Sequence, residues 1–332
     1  MSSPVPAYEA DWTRTALSRD EFAFKVCEQG RALYRDLPWR CVDDPYAVMV
    51  SEVMLQQTQV SRVAKYWERF LSSFPTVDAL AAASTSDVLD HWQGLGYNRR
   101  ALALKRAADL VSSQMDGILP HTVEELVALP GVGPATAAGV MAFAYRLPSV
   151  YIETNVRTVF LHELFPDHEK VSDRMLEPYV RQTCPGSGVD EAAKATRLQR
   201  SGDFGKRGDA SSRNEVAFAG LGDPSEDARA WYYALLDYGA HLKTQVANPS
   251  RRSAHYARQS AFEGSHRQKR SFILKLALSS PEGVSEEEAL AALSKFEMES
   301  GRGAVDADCG RAIVDQLVGE GFFNRQGDLL VP

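Results

Sequence analysis

Hydrophobic residues recur every three to four positions across residues 21–164, as in Val60, Val63 and Trp67. This spacing places apolar side chains on one face of a helix. Proline and glycine interrupt it at Leu37-Pro38, Asp44-Pro45, Phe74-Pro75, Gly94-Leu95-Gly96, Leu119-Pro120 and Leu129-Pro130-Gly131. Thr76 and Thr122 follow two of these breaks with acidic residues close behind, which is typical of helix N-caps. We therefore expect short helices joined by tight turns, and no clear strand in this half.

The second half of the chain changes pattern twice. Residues 185–230 contain seven glycines among many polar residues and few large apolar ones, so we expect a mobile insertion. Helical spacing returns over Arg229–Lys243. Residues 271–332 predict three helices and then two short strands around Gln326-Gly327-Asp328. That order is typical of a small winged-helix-like module.

The charge of the chain is unevenly distributed. Its 332 residues suffice for two domains with a sizeable core. A net charge of −7 argues against a nucleic-acid ligand when it is considered alone, because DNA is a dense polyanion. However, residues 241–270 hold seven basic side chains against one acidic side chain. The acidic average therefore hides one basic block.

The cysteines exclude some classes of protein. Cys27, Cys41, Cys184 and Cys309 are scattered without a CxxC spacing, which excludes a disulfide framework and disfavours a cysteine-based metal site. The first residues lack the features of a secretory signal, and no apolar run is long enough to span a membrane. We expect a monomeric cytoplasmic protein, associated with the nucleoid if it is bacterial, and no membrane partner.

Two turns are candidate DNA-binding elements. Gly131 and Gly133 lie between helical segments, where backbone N–H groups at a helix N-terminus can bind a phosphate. Residues 93–100 combine a glycine turn with Tyr97, which can stack on a base, and Arg99, which can contact phosphate. Each motif also fits an ordinary turn between helices.

Two further motifs supply carboxylates. Glu52 lies in an apolar helical stretch, where desolvation would raise its pKa and allow it to act as a general acid. The alternative is a solvated glutamate near a helix start. The polar residues that follow it, Gln56, Gln57 and Thr58, suit base edges or a polar helix face. The segment Tyr151–Val159 contains a second carboxylate, Glu153, which would otherwise belong to a helix cap.

In this order and spacing, the motifs resemble the helix-hairpin-helix (HhH-GPD) DNA glycosylase superfamily, and within it the MutY-type adenine glycosylases. The resemblance covers residues 37–165 well and residues 231–243 more loosely. The run Ser51–Val60 is specific to the adenine branch. The resemblance implies an all-α, two-domain helix-hairpin-helix fold with a cleft between the domains, plus the small C-terminal winged-helix-like module.

The resemblance also divides the chain into domains. We expect residues 45–150 to form a six-helix domain that contains the helix-hairpin-helix. Residues 1–44 and 151–270 would form the second helical domain, with the mobile insertion 185–230 and a basic loop at 243–270. Residues 271–332 would form the winged-helix-like module.

The implied activity is that of a monofunctional DNA glycosylase of base excision repair. Such an enzyme hydrolyses the N-glycosidic bond of a flipped-out purine, most simply adenine, in duplex DNA. The resemblance makes Glu52 the acid that protonates the purine and helps to activate water, with Glu153 as the anion near the sugar and Asn155 beside them. Gln57 would wedge into the duplex and Tyr97 would stack beside the lesion. The implied DNA contacts are Gln56, Gln57, Thr58, Tyr97, Arg99, Gly131, Gly133, Arg157, Arg251 and Arg252, and the base pocket includes Trp39 and Arg40.

Three departures from the family pattern affect these expectations. The family's second carboxylate is usually an aspartate, whereas this chain has Glu153, which is one methylene longer. Ala135 occupies the position where strand-cutting relatives carry a lysine, so we expect no AP lyase activity. The family usually carries four cysteines that hold an iron–sulfur cluster after its last domain helix. In this chain the corresponding positions are approximately Lys243, Ser250, Ser253 and Gln259 or Ser260. None supplies a thiolate, so we expect no iron–sulfur cluster, no metal and no other cofactor.

The C-terminal region leaves the target base open. Residues 271–332 are too short for the Nudix-like domain with which typical adenine-mismatch enzymes sense 8-oxoguanine. One alternative is the same fold acting on a deaminated, alkylated or mismatched base. Another is a non-catalytic DNA-structure-binding protein, although such a protein has no need of Glu52 among apolar residues. The expected partner is double-stranded DNA with a damaged or mismatched base.

Overall fold

The computed structural model describes residues 9–40, 42–187, 222–254, 256 and 261–331. Cys41, Gln259 and Ser260 lie outside the described residues, as does most of the predicted insertion 185–230. The chain forms two compact units. The first unit comprises the described parts of residues 1–52, 119–128 and 132–257, and the second those of residues 53–118, 129–131 and 258–332.

Helices dominate the described residues, as the periodicity predicts. In chain order they are α1 (Arg19–Ala32), α2 (Pro45–Leu55), α3 (Val60–Ser73), α4 (Val77–Ala82), α5 (Thr85–Trp92), α6 (Arg99–Gln114), α7 (Val123–Val127), α8 (Pro134–Phe143), α9 (Thr154–Glu163), α10 (Asp173–Thr183), α11 (Ala228–Gln245), α12 (His266–Leu278), α13 (Glu286–Glu299) and α14 (Ala307–Glu320). Short 3-10 helices span Trp12–Arg14 and Pro249–Arg252. The three strands β1 (Val284–Ser285), β2 (Asn324–Gln326) and β3 (Leu329–Val331) form an antiparallel sheet of order β1-β3-β2.

The two threonine caps predicted from the sequence are confirmed. The Thr76 side chain accepts a hydrogen bond from the backbone N–H of Ala79 at the start of α4. The Thr122 side chain accepts one from Glu125 at the start of α7. Each cap satisfies a backbone donor that a helix N-terminus leaves unpaired.

The core of the first unit forms where α1, α9 and α11 pack together. The rings of Phe22 and Phe160 lie 4.8 Å apart, and Trp231 meets Phe22 edge-on at 6.3 Å. Gly30 allows α1 to approach α11 closely, because a Cβ atom there would lie 2.3 Å from the Cβ of Ala234. This packing holds the N-terminal turn of α9 against α11.

The second unit combines α3–α6 with the C-terminal elements α12–α14. Phe70 and Trp92 form an edge-on aromatic pair in the core of the α3–α6 part, with their rings 5.8 Å apart. The Arg99 guanidinium at the start of α6 makes a two-pronged ion pair with Glu320 at the end of α14. The Arg106 side chain donates to the Glu320 carbonyl. The C-terminal elements therefore dock on α6 within this unit.

The C-terminal hairpin is confirmed, with β2 and β3 flanking the Gly327 turn. The sequence did not predict β1, because two residues are too few to show alternation. No helix in the described part of the chain combines the length and the apolar character needed to cross a bilayer.

Candidate active site

The first unit holds the carboxyl group of Glu52 away from water. Glu52 lies in α2 and is only 9% exposed, beside the buried residues Ser51 and Val50. Its Oε2 atom accepts a hydrogen bond from the Tyr151 hydroxyl at 3.1 Å. Tyr151 is itself buried, so one donor and an apolar wall surround this carboxyl group.

These surroundings change the protonation of Glu52. Burial is the main cause, and together with the nearby charge of Glu153 it raises the pKa of Glu52 from 4.5 to about 8. The Tyr151 hydrogen bond acts in the opposite sense but is the smaller effect. Desolvation prevails because a carboxylate with one donor loses more hydration than it regains. Glu52 is therefore mainly protonated at neutral pH and can donate a proton.

Gly139 in α8 makes room for the Glu52 carboxyl group. A Cβ atom at this position would lie 2.4 Å from Glu52 Oε2 and 3.1 Å from the Tyr151 ring. Glycine in a helix interior destabilises the helix by about 1 kcal/mol relative to alanine. The close approach of the carboxyl group explains why α8 contains a glycine there.

Aromatic rings support Tyr151. Phe143 contacts the Tyr151 ring edge-on at 5.1 Å and stacks on Tyr233 at 4.6 Å. Tyr232 also packs edge-on against Tyr151, and its hydroxyl donates to the Ser149 carbonyl and accepts from the Tyr151 N–H. The hydroxyl that faces Glu52 is therefore held by a rigid aromatic cluster.

Glu153 and Asn155 lie at the N-terminus of α9 in the same unit. The Glu153 side chain accepts from the Thr154 N–H and caps the helix, and it is half-buried. The Asn155 Oδ1 atom accepts from Lys243 Nζ at 2.6 Å. Gly239 in α11 permits this proximity, because a Cβ atom there would lie 2.2 Å from the Asn155 carbonyl oxygen.

Lys243 is a functional candidate that the sequence did not reveal. Burial lowers its pKa, and the Glu153 carboxylate opposes that effect. The sequence placed Lys243 only at a position of a missing cluster cysteine. Its contact with Asn155 arises from the packing of α11 on α9, which the spacing of residues along the sequence does not reveal.

Gly131 and Gly133, which are predicted to bind a phosphate, lie in the turn before α8. Gly131 has φ +77°, and a Cβ atom there would lie 2.5 Å from the Ala103 Cβ, so glycine is required. Gly133 is the N-cap of α8 and provides no capping side chain. The N–H groups at the start of α8 can therefore bind an anion by donating hydrogen bonds to it.

The polar residues after α2 form a turn in the second unit. Gln57 is exposed and has φ +55°, a conformation that costs energy for a residue other than glycine. Arg100 holds this turn, with its guanidinium donating to the carbonyls of Val53, Met54 and Gln56 at 2.6–2.8 Å. It also donates to Thr58 Oγ1 at 3.0 Å and to the Gly96 carbonyl at 2.9 Å. Arg100 thus acts as a C-cap for α2 and presents Gln57 outward.

Tyr97 and Arg99 contact the C-terminal elements of the second unit. The Tyr97 hydroxyl accepts from Arg267 at 2.6 Å, and the guanidinium groups of Arg100 and Arg267 lie 5.4 and 5.5 Å from its ring centroid. Arg99 pairs with Glu320 although its side chain is 73% exposed. Stacking by Tyr97 and phosphate contact by Arg99 stay predictions.

Three arginines predicted to contact DNA differ in their availability. Arg157 makes a two-pronged ion pair with Asp173 at 2.6 and 2.7 Å. Arg252 donates to backbone carbonyls at the end of α9 and in the turn that follows, including those of Leu161 and Phe165. Arg251 is exposed. Of the pair in the basic loop, Arg252 therefore anchors the loop, which leaves Arg251 as the better placed for phosphate.

The placement of Trp39 and Arg40 differs from the base-pocket expectation. Both residues are buried, and Arg40 donates to the Asp237 carboxylate at 2.6 and 2.8 Å. The Arg40 guanidinium also lies 4.3 Å from the Tyr233 ring centroid. A direct contact with a base would break this buried ion pair, which is costly. Arg40 instead packs against Tyr233 of the aromatic cluster.

The loop that follows α11 does not fit an iron–sulfur cluster. The Ser250 hydroxyl bonds to the Thr158 hydroxyl at 2.6 Å and donates to the Thr154 carbonyl at 3.2 Å. Ser253 pairs with Val171 in an isolated parallel bridge. The Ser250 hydroxyl holds the loop against α9, the Ser253 backbone pairs with Val171, and neither side chain supplies the thiolate that cluster iron requires.

Comparisons with known proteins find similarity to one superfamily over part of the chain. Residues 50–207 match the family model described as "HhH-GPD superfamily base excision DNA repair protein". The curated "Adenine DNA glycosylase" of Mycobacterium tuberculosis (strain CDC 1551 / Oshkosh) is 46% identical over 127 residues, which are 38% of this chain and 42% of that protein. The protein of the same name from Mycolicibacterium smegmatis is 44% identical over 126 residues, covering 38% of this chain and 43% of that protein.

The chain thus spans about two fifths of the length of these curated relatives. Among solved structures, a thermostable thymine-DNA glycosylase is similar at 22% identity with a TM-score of 0.46. That match covers 67% of this chain and 86% of the other.

Proposed function

We propose that this chain, which carries an HhH-GPD superfamily domain over residues 50–207, is a DNA glycosylase that releases adenine from duplex DNA. The observation that supports this most directly is the buried, protonated Glu52. Purine departure from deoxyribose requires a proton on the base, and a carboxyl group with a pKa of about 8 retains that proton at neutral pH. The curated relatives named for adenine point to the same base.

In this mechanism the two carboxyl groups have different roles. Glu52 protonates the leaving purine and helps to activate water. Glu153, at the N-terminus of α9, faces the positive charge that develops on the sugar. Asn155 and Lys243 hold one another beside it. The Gly131–Gly133 hairpin would bind a backbone phosphate, and Gln57 would occupy the gap that the flipped base leaves.

The test uses duplexes that each contain one candidate base: adenine opposite guanine or 8-oxoguanine, uracil, hypoxanthine or an alkylated base. Alkali then cleaves the resulting abasic sites. We expect product from the adenine duplexes, no product from Glu52→Gln, and retained DNA binding by that variant. The matched control is Glu163→Gln, which alters a buried carboxyl group bonded to Tyr238 and Lys25. A lack of product on every duplex would exclude the activity, and product from another duplex would change the target base.

We further propose that the protein has no AP lyase activity. Ala135 stands in the exposed first turn of α8 and has no amine to attack the sugar. Strand cleavage without alkali, or a complex trapped with borohydride, would contradict this. Loss of that complex in Lys243→Ala would then identify the amine.

We also propose that the protein works without an iron–sulfur cluster. The hydroxyls of Ser250 and Ser253 stand where the resemblance predicts cysteine ligands, and Arg252 ties the same loop to backbone carbonyls. Iron analysis of the purified protein should find no stoichiometric iron, whether or not the protein is purified in the absence of oxygen. Stoichiometric iron lost on mutation of Cys184 or Cys27 would overturn this proposal.

A further inference from the structure

A large cavity opens within the second unit, between the C-terminal helices and two turns of the helical part. Its volume is about 1140 Å³, which exceeds the range of about 300–1,000 Å³ usual for small-molecule pockets. One wall consists of the turn that contains Gln57 and the turn that contains Tyr97. The other wall is formed by α12, with Gln316 and Leu317 of α14. All the lining residues belong to the second unit.

The cavity has a strongly positive lining in a chain of net charge −7. Six of the lining residues are Arg62, Arg99, Arg100, Arg267, Arg270 and Lys275. Among the described residues that line it, none is an aspartate or a glutamate. Such a concentration of one sign in a concave site attracts a polyanion.

The cations divide into structural and available groups. Arg100 is committed to backbone carbonyls, and Arg99 and Arg270 share the Glu320 carboxylate. In contrast, Arg62 and Lys275 are exposed at opposite walls of the cavity. Their side chains can reach a phosphate without breaking a contact that the fold requires.

Uncharged groups in the same cavity suit a nucleobase. Gln57 and Gln59 are exposed and offer amide donors and acceptors. Phe262 is 52% exposed although it is a large apolar side chain. Aromatic faces of this kind stack on bases in single-stranded nucleic-acid sites. Cations, amides and an exposed ring together match a nucleotide better than they match an acidic peptide.

We propose that this cavity is a nucleotide-binding site, in which α12 and Phe262 hold one phosphate and one base of a DNA strand. Lys275 of α12 neutralises that phosphate, Arg62 at the opposite wall neutralises a neighbouring phosphate of the strand, Phe262 stacks on the base, and Gln57 and Gln59 bond to its edge. The C-terminal elements thereby become part of the DNA-binding surface. The proposal shares DNA as the ligand with the proposed function, but it does not depend on release of a base.

The experiment measures binding of a short fluorescein-labelled duplex that carries one unpaired base to the full chain in the Glu52→Gln background, over a range of salt concentrations. Binding is then independent of catalysis, so a failed glycosylase assay and a failed binding site give different results. We expect Lys275→Ala and Arg62→Ala each to reduce the slope of log K against log salt by about 0.9, the value for one lost phosphate contact. Phe262→Ala should weaken binding at least about fivefold without a change of slope.

Matched controls remove the same charge outside the cavity. Lys65→Ala alters an exposed residue of α3 one turn after Arg62, and Lys295→Ala alters a 74% exposed residue of α13. Both should keep the slope of the parent protein. Equal slopes for Lys275→Ala and Lys295→Ala would overturn the site. A reduced slope for Lys275→Ala with no effect of Phe262→Ala would mean that an isolated phosphate binds, which would overturn the nucleotide assignment.

Discussion

Glu52 in the first unit is buried and Arg100 in the second unit is half-buried, and the loss of hydration has opposite consequences for their charge. Glu52 in the first unit receives one hydrogen bond, and burial raises its pKa to about 8. Arg100 in the second unit donates six hydrogen bonds, and burial lowers its pKa only to about 10. The carboxyl group is therefore neutral at pH 7, whereas the guanidinium remains charged. The two groups start from very different pKa values, so the loss of hydration neutralises the carboxyl group but leaves the guanidinium charged.

The difference matches the chemistry that each unit can perform. A neutral carboxyl group in a dry aromatic setting can deliver a proton, which suits bond cleavage. A charged guanidinium fixed to backbone carbonyls cannot move a proton, but it can hold a strained turn in place.

The largest effect should come from filling the space that Glu52 uses. Gly139→Ala places a methyl group within 2.4 Å of Glu52 Oε2, so the carboxyl group or α8 must shift. We expect base release to fall about 100-fold or more, the usual result of a displacement of about 1 Å at a reacting group. Single-turnover assays measure this loss.

The second unit offers the control for this change. Gly319→Ala lies in α14, where a Cβ atom would meet nothing within 4 Å. It should leave activity unchanged and should not lower the melting temperature, because alanine is favoured over glycine in a helix. Equal activity of the two variants would show that Gly139 does not shape the acid site.

Removal of the Arg100 side chain should destabilise the second unit. Arg100→Ala leaves several carbonyls at the end of α2 without a donor, each worth about 1–3 kcal/mol when it stays buried. We expect a loss of about 3 kcal/mol in the free energy of unfolding, measured with denaturant. Its neighbour Arg99 makes an exposed ion pair, so Arg99→Ala should cost less than about 1 kcal/mol. Similar losses of unfolding free energy in both variants would contradict the role of Arg100 as the C-cap of α2.

Buried glutamates in the two units should respond oppositely to pH. The folded-state pKa of Glu52 lies above its unfolded value of 4.5, so the native state retains a proton and stability falls as pH rises from 4.5 to about 8. Glu52→Gln should therefore gain stability relative to the parent between pH 5 and pH 8, by more than about 1 kcal/mol.

Glu297 supplies the opposite sign. The Arg302 guanidinium bonds to Glu297 and lowers its pKa, so this carboxylate stabilises the fold above its unfolded pKa and loses that effect in acid. Glu297→Gln should thus be less stable than the parent at pH 8, and the deficit should shrink as pH falls. Denaturant unfolding at several pH values measures both trends, and parallel trends would refute the assignment.

The smallest effect concerns the Tyr151 hydroxyl. Its hydrogen bond stabilises the ionised form of Glu52, so Tyr151→Phe should raise the Glu52 pKa further. If Glu52 acts as the acid, the alkaline limb of the pH–rate profile should move upward by about one unit, because a hydrogen bond to a charged group is worth about 1.5–3 kcal/mol. Tyr145→Phe, which removes a hydroxyl bonded to the Leu119 carbonyl, should leave the limb in place.

Local sequence patterns predicted much of the helical framework. The caps Thr76 and Thr122, the helix Arg229–Lys243 and the C-terminal hairpin all follow from neighbouring residues. The resemblance pointed to Glu52 as the acid, and the structure buries it as the apolar neighbours predict. The missing pieces were Gly139, Tyr151 and Lys243, whose contacts join segments far apart in the chain. A signal for Gly139 existed, since an unexplained glycine in a helix suggests a close approach.

The sequence by itself determined where helices begin and end, and which residue types could carry acid and DNA-binding chemistry. These properties depend on a few consecutive residues, through caps, periodicity and turn preferences. The tertiary structure decided which arginines are engaged: Arg40 with Asp237, Arg157 with Asp173, and Arg252 with the carbonyls that end α9. The sequence shows an arginine in the same way whether its guanidinium is buried or exposed. Only packing determines its partners, and partners together with hydration determine what the charge can do.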